Sequence, residues 1–142
     1  MIWQRLMSST LTEFGLTHVQ FVLLASTWWL EEHGEPPRGQ RDLADHAGAD
    51  PMMTSQVVRA LQAKGLLSRT TDLQDARAVR LTVTQVGQGL ATRAVAAVEA
   101  ADAGFFAALP HVDRERIAPL LQVLAGVTPK APQHRATPTL IA

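Results

Sequence analysis

Between Asp50 and Val83 the chain reads DPMMTSQVVRALQAKGLLSRTTDLQDARAVRLTV, and this stretch constrains the fold more than any other. Asp is a favoured N-cap, and Pro fits the first helical position, where its missing N–H would have no partner anyway. At the far end, Lys64-Gly65 supplies the left-handed turn that stops a helix. A helix from Pro51 to about Lys64 therefore has fixed ends, and its faces separate. Thr54, Val57, Val58 and Leu61 make a core stripe, while Met52, Ser55, Gln56 and Arg59 repeat the same i, i+3, i+4, i+7 spacing opposite. LLSRTTD and AVRLTVT then read as two strands around an LQDA tip, with Val79, Leu81 and Val83 alternating with Arg80 and Thr82.

The flanks are helical. A short helix, Gln40 to Ala47, buries Leu43, Ala44 and Ala47 and stops at Gly48; with the tight turn and the helix from Pro51 it matches a helix-turn-helix. Upstream, Thr17-His18-Val19-Gln20 has the form of a capping box. It opens an apolar helix through Phe21, Val22, Leu24, Trp28, Trp29 and Leu30, which ends at Glu31-Glu32-His33-Gly34 before the loop GEPPRG. Trp3 to Phe14 carries a helix-like pattern at Leu6, Met7, Leu11 and Phe14.

Downstream, Thr84 can cap a helix running from Gln85 to Leu109, where Pro110 stops it. At 1.5 Å per residue that helix spans about 37 Å, more than a small domain needs for its own core. Its stripe (Val86, Leu90, Ala94, Val95, Val98, Ala101, Phe105) is dominated by small residues and suits the close approach of another helix. Asp113 can cap a last helix through Ile117, Leu120, Leu121 and Leu124, with Pro119 either kinking it or delaying its start. From Thr128 the chain reads as a poorly ordered, Pro-containing tail, residues 128–142. The expected fold class is mainly α (α+β): a winged helix-turn-helix lobe at about residues 36–84 within one domain spanning 1–127.

Composition removes several function classes. Lys+Arg and Asp+Glu number 13 each, so no global field draws the chain to nucleic acid or membrane. No apolar run approaches the ~18 residues of a membrane span, and the first residues lack a signal-peptide pattern. Cysteine is absent, which excludes thiol redox sensing and cysteine-ligated zinc. His18, His33, His46, His111 and His134 are scattered with no i, i+4 pair, so no metal site is expected. No phosphate loop and no Ser–His–Asp order with glycine turns appears, so neither an enzyme nor a cofactor is expected. A soluble, cytoplasmic protein is the expectation.

Four stretches give this order of elements a closer resemblance. Gly15-Leu16-Thr17 with Gln20 resembles the G-L-T-x-x-Q opening of the MarR family of bacterial transcription regulators. Asp42-Leu43-Ala44 is similar to its E-L-A, and Leu61 with Lys64-Gly65-Leu66-Leu67-Ser68-Arg69 to its L-x-x-K-G-L-V-x-R. Asp75-x-Arg77 with Val83-Thr84-x-x-Gly87 matches its D-x-R…L-T-x-x-G. Two departures stand out: Ala76 replaces the first of the two arginines usual in the family's wing, and the segment before Gly15 is short.

The resemblance implies that the helix from Pro51 enters the DNA major groove, where Gln56 can pair with adenine, Arg59 with guanine, and Ser55 with base or phosphate. From Pro51 to Arg80 the cations Arg59, Lys64, Arg69, Arg77 and Arg80 exceed Asp72 and Asp75 by three charges. Arg38 and Arg41, before and within the preceding helix, add candidate phosphate contacts. Arg77 is offered to the minor groove, with Asp75 either holding its guanidinium or tying down the tip; an ordinary surface ion pair is the plain alternative. The resemblance further implies a homodimer on a pseudo-palindromic double-stranded DNA operator, paired through long dimerisation helices at about 2–14, 85–109 and 113–126. Repression would be relieved by a small aromatic or phenolic effector near Trp28, Trp29 and His33, although packing against the dimerisation helices suits the tryptophans better, since buried Trp is mostly core. The rival expectation is a winged-helix interaction module without specific DNA binding, toward which Ala76 and the zero net charge lean.

Overall fold

A computed structural model of the chain describes residues 2–124. Both halves of the capping box form: the Thr17 hydroxyl accepts the Gln20 N–H and Gln20 Oε1 accepts the Thr17 N–H, each at 3.2 Å. They open α2 (His18–Glu32), which follows α1 (Ile2–Thr12). After the proline loop come α3 (Gln40–Ala47) and α4 (Pro51–Ala63). Asp50 Oδ1 accepts the Met53 N–H at 2.8 Å, and Pro51 occupies the first turn. The hairpin of β1 (Leu67–Thr71) and β2 (Val79–Val83) is antiparallel, with Leu67 opposite Val83 and Arg69 opposite Leu81. Then follow α5 (Gln85–Phe106) and α6 (His111–Leu124).

The core of the first compact unit, which ends at Phe105, gathers Leu23 and Leu24 of α2, Leu43 of α3, Val58 and Leu61 of α4, and Leu81 of β2. Four polar ties lock the wing onto it. Leu81 N–H donates to the Pro37 carbonyl at 3.0 Å, so the proline loop runs beside β2. Glu31 Oε2 accepts the Val83 N–H at 2.8 Å. Thr84 caps α5 by accepting the Gly87 N–H at 3.0 Å, and its hydroxyl donates to the Gly65 carbonyl at 2.6 Å. Position 87, buried at this joint, is glycine because a Cβ there would lie 2.1 Å from the Leu66 carbonyl oxygen.

Three expectations need correction. Helix α5 ends at Phe106 rather than Leu109, and its 22 residues span about 33 Å. Its buried face in this chain is Gly87, Ala91 and Ala94, whereas Val86 of the expected stripe is 69% exposed. Ala94 belongs to both the expected stripe and this buried face, and the close approach of the Leu66 carbonyl accounts for the glycine at position 87. The alternation along β2 is also blurred, because Arg80 is half-buried by its own partners while Val79 is exposed.

The second unit opens at Phe106 and carries α6. That helix begins at His111, so Asp113 lies in its first turn instead of capping it, and Pro119 sits inside it without delaying its start. Of its expected stripe Leu120 is exposed and Ile117 half-buried; the side chains of Leu121 and Leu124, and the tail over 128–142, lie outside the described residues. Among the described residues no helix is long and apolar enough to cross a membrane.

Candidate nucleic-acid interface

Helix α4 turns its apolar stripe inward, with Thr54, Val58 and Leu61 buried and Val57 half-buried. Gln56 and Arg59 are exposed and Ser55 half-buried on the opposite face, and Met52 at the leading end is 74% exposed. None of the three polar side chains has a partner among the described residues. The helix cannot rotate to hide this face without exposing Val58 and Leu61, each of whose burial is worth about 1.5–3 kcal/mol.

The wing tip is longer than the four residues expected, running from Asp72 to Ala78 between the strands. Asp75 is a tie for the tip and not a clamp on the guanidinium: its Oδ1 accepts the backbone N–H of Arg77 at 3.0 Å. Its carbonyl accepts the Ala78 N–H at 2.9 Å. The Arg77 side chain has no partner among the described residues and remains available.

The residue that organises the tip is Asp72, which in the sequence stands only as a negative charge. Its carboxylate accepts the backbone N–H groups of Gln74 at 2.7 Å and Asp75 at 3.3 Å, and pairs with the Arg80 side chain. The Gln74 N–H and then the Arg80 guanidinium hold its carboxyl below the usual aspartate range. Arg80 also donates to the Pro36 carbonyl at 3.0 Å. The legible signal was an acid at the start of the hairpin tip and a base near the start of the returning strand.

This divides the expected cationic patch. Arg80 is committed to the wing's base, and Lys64 donates to the Gly15 carbonyl and to Gln20 Oε1. Arg59, Arg69 and Arg77, with Arg38 and Arg41 at the start of α3, keep exposed side chains without an ion pair among the described residues.

At the end of α2 the two tryptophans part. Trp28 packs against the core, and its indole N–H is buried without an acceptor among the described residues. Trp29 is 50% exposed and stacks on His33, with centroids 3.8 Å apart. His46 of α3, thirteen residues further along the chain than His33, also stacks on Trp29, with centroids 5.7 Å apart. His33 Nδ1–H donates to the Trp29 carbonyl at 2.7 Å. Trp29, His33 and His46 thus form a surface stack, while the Trp28 indole N–H and the Thr54 hydroxyl are buried without a partner among the described residues.

Residues 16–79 match the profile of the MarR family. An uncharacterized HTH-type transcriptional regulator of Bacillus subtilis (strain 168), YdcH, is 45% identical over 106 residues, 75% of this chain and 71% of that protein. The HTH-type transcriptional repressor Rv2887 of Mycobacterium tuberculosis (strain ATCC 25618 / H37Rv) is 31% identical over 119 residues, 84% of this chain and 82% of the repressor. The crystal structure of Rv2887 with DNA is similar at a TM-score of 0.68 and 29% identity, covering 87% of this chain and 88% of that one. CouR from Rhodococcus jostii RHA1, bound to p-coumaroyl-CoA, is similar at a TM-score of 0.74 and 26% identity, covering 89% of this chain and 86% of that one.

Proposed function

The chain belongs to the MarR family, and we propose on that premise that it is a homodimeric, sequence-specific DNA-binding regulator. In this reading it represses from a pseudo-palindromic operator and is released by a small aromatic or phenolic effector. The observation that carries the reading is the outer face of α4. Ser55, Gln56 and Arg59 stand unpaired on a helix whose other face is fixed in the core. A groove presenting donors and acceptors satisfies such a face, and Arg69, Arg77 and Arg41 flank it with charge for the phosphates.

A winged lobe at about residues 36–84 reads one half-site, so a palindrome calls for two copies. Ile2 of α1 and Val86 of α5 are exposed apolar side chains on the helices assigned to pairing. For the effector, the support is the unpaired, buried indole N–H of Trp28, a donor suited to a carboxylate or phenol oxygen. Rv2887 has been crystallised with salicylic acid and CouR with p-coumaroyl-CoA. Trp29 and His33 extend the same helix end as an exposed stack.

An electrophoretic shift on DNA upstream of the gene, repeated over a salt series, tests the reading. Binding should weaken linearly in log–log form, with a slope of about −0.9 for each phosphate neutralised. Immeasurable affinity even at low salt would leave only a winged-helix interaction module. Salicylate added to the complex should release the DNA and alter tryptophan emission.

A further inference from the structure

Where the wing meets the helix-turn-helix, Arg38, Arg69 and Arg77 line one concavity of about 460 Å³. They come from three places: the loop before α3, strand β1 and the wing tip. The topology brings them together. Leu81 N–H binds the Pro37 carbonyl, and Arg69 faces Leu81 in the hairpin register, so Arg38 is pinned beside the strand pair.

Among the described residues no carboxylate lines this space. Asp42 turns its Oδ2 to the Arg38 backbone N–H at 2.9 Å and lines a neighbouring concavity. Asp72 is taken by Arg80 and Asp75 by the backbone of Arg77. None of the three guanidinium groups has a hydrogen bond or ion pair among the described residues, although Lys64 and Arg80 in the same lobe both found acceptors. Three like charges around one space repel until an anion enters. Gly39 begins α3 without a side-chain cap, so the helix's first amides add donors on the same side.

We propose that this concavity is an oxyanion receptor that seats one phosphate group, with Arg38 and Arg69 as its walls and Arg77 closing it. Guanidinium forks match phosphate oxygens in pairs, which selects phosphate over a simple halide. The phosphate belongs either to the DNA backbone or to a free phosphate-bearing solute. The first source rests on the DNA-binding reading above; the second does not. Arg77 serves both this seat and the minor groove, so Arg38 is the residue that separates them.

The test has two arms on the full chain. In the first, inorganic pyrophosphate is titrated calorimetrically into the protein, Arg38→Ala, Arg69→Ala and the equal-charge control Arg93→Ala. In the second, upstream DNA carries a neutral methylphosphonate at one backbone position at a time. A free-solute seat gives saturable pyrophosphate binding that Arg38→Ala and Arg69→Ala each weaken about tenfold or more and Arg93→Ala leaves intact. A DNA-phosphate seat gives one position per half-site where the methylphosphonate costs the natural chain about tenfold and costs Arg38→Ala nothing further. Both side chains are exposed and internally unpaired, so the variants keep the core. Absence of both effects, or an equal loss in Arg93→Ala, overturns the proposal. If the protein binds no DNA at all, the DNA-binding reading fails and the pyrophosphate arm alone decides the seat.

Discussion

The ammonium of Lys64 lies 2.7 Å from the carbonyl oxygen of Gly15 and 3.0 Å from Oε1 of Gln20. Lys64 is the C-cap of α4, and Gln20 is the reaching residue of the capping box that opens α2. One side chain therefore ties the exit of α4 to the start of α2. Two motifs that look independent in the sequence form a single joint, and the same bond removes Lys64 from the pool of charges available to DNA.

Replacing Lys64 by Met keeps the apolar stem and removes both bonds. Stability should fall by about 1 kcal/mol, since the group is exposed and water competes for it. In urea unfolding at fixed protein concentration, a cycle with Gln20→Ala should show coupling of about 0.5 kcal/mol or more. Strict additivity would mean the contact contributes nothing.

Gly87 and Gly89 sit two residues apart on α5 and should respond oppositely to alanine. At Gly87 the new Cβ would meet the Leu66 carbonyl oxygen at 2.1 Å and Val83 Cγ1 at 2.9 Å, and backbone cannot swing away as a side chain can. Gly87→Ala should cost about 3 kcal/mol or more and leave little soluble protein. At Gly89 a new Cβ would meet no atom within 4 Å outside its own helix backbone among the described residues, so Gly89→Ala should gain up to about 1 kcal/mol. Thermal melts of the two variants decide it.

Burial, together with the neighbouring Glu32 charge, raises the Glu31 carboxyl above its ordinary 4.5, against the lowering effect of the Val83 N–H. A carboxyl raised in the folded state contributes stability that is fully present below the unfolded value and lost as pH rises through the folded one. The natural chain should therefore lose ground to Glu31→Gln as pH climbs from about 4 through the raised value toward 7. A difference in urea midpoint that stays flat across that range would contradict the placement of Glu31.

Asp72 shifts the other way. Its carboxyl is lowered below 3.8, so its contribution is present above that value and disappears as pH falls through the lowered one. Asp72→Ala should speed amide exchange at Gln74 and Asp75, release Arg80, and weaken DNA binding, with protection in α4 unchanged. Equal exchange at both amides would mean the tip is held some other way.

On DNA, Arg77→Ala should weaken binding most at A·T-rich sites, where the narrow minor groove concentrates negative potential. Arg59→Ala should cost about 1–3 kcal/mol and relax selection at a single base pair. Operator selection from random DNA with each variant distinguishes a local loss of specificity from a uniform one.

The sequence by itself determined which elements the first unit contains and where helices α2 to α5 begin. Thr17 with Gln20, Asp50-Pro51, Lys64-Gly65 and Thr84 act on backbone groups within a few residues, so their effect is readable locally. The two faces of α4 were legible for the same reason, since the period of a helix fixes which residues share a side. Only the tertiary structure decided which charges are spent and which remain. Lys64 finds Gly15 across 49 residues, Arg80 finds Pro36 across 44, and Glu31 finds Val83 across 52. The same long-range packing turned Gly87 rather than Val86 inward and gathered Arg38, Arg69 and Arg77 around one space. A charge is defined by its neighbours in three dimensions, and neighbours separated by dozens of residues leave no period for a sequence to display.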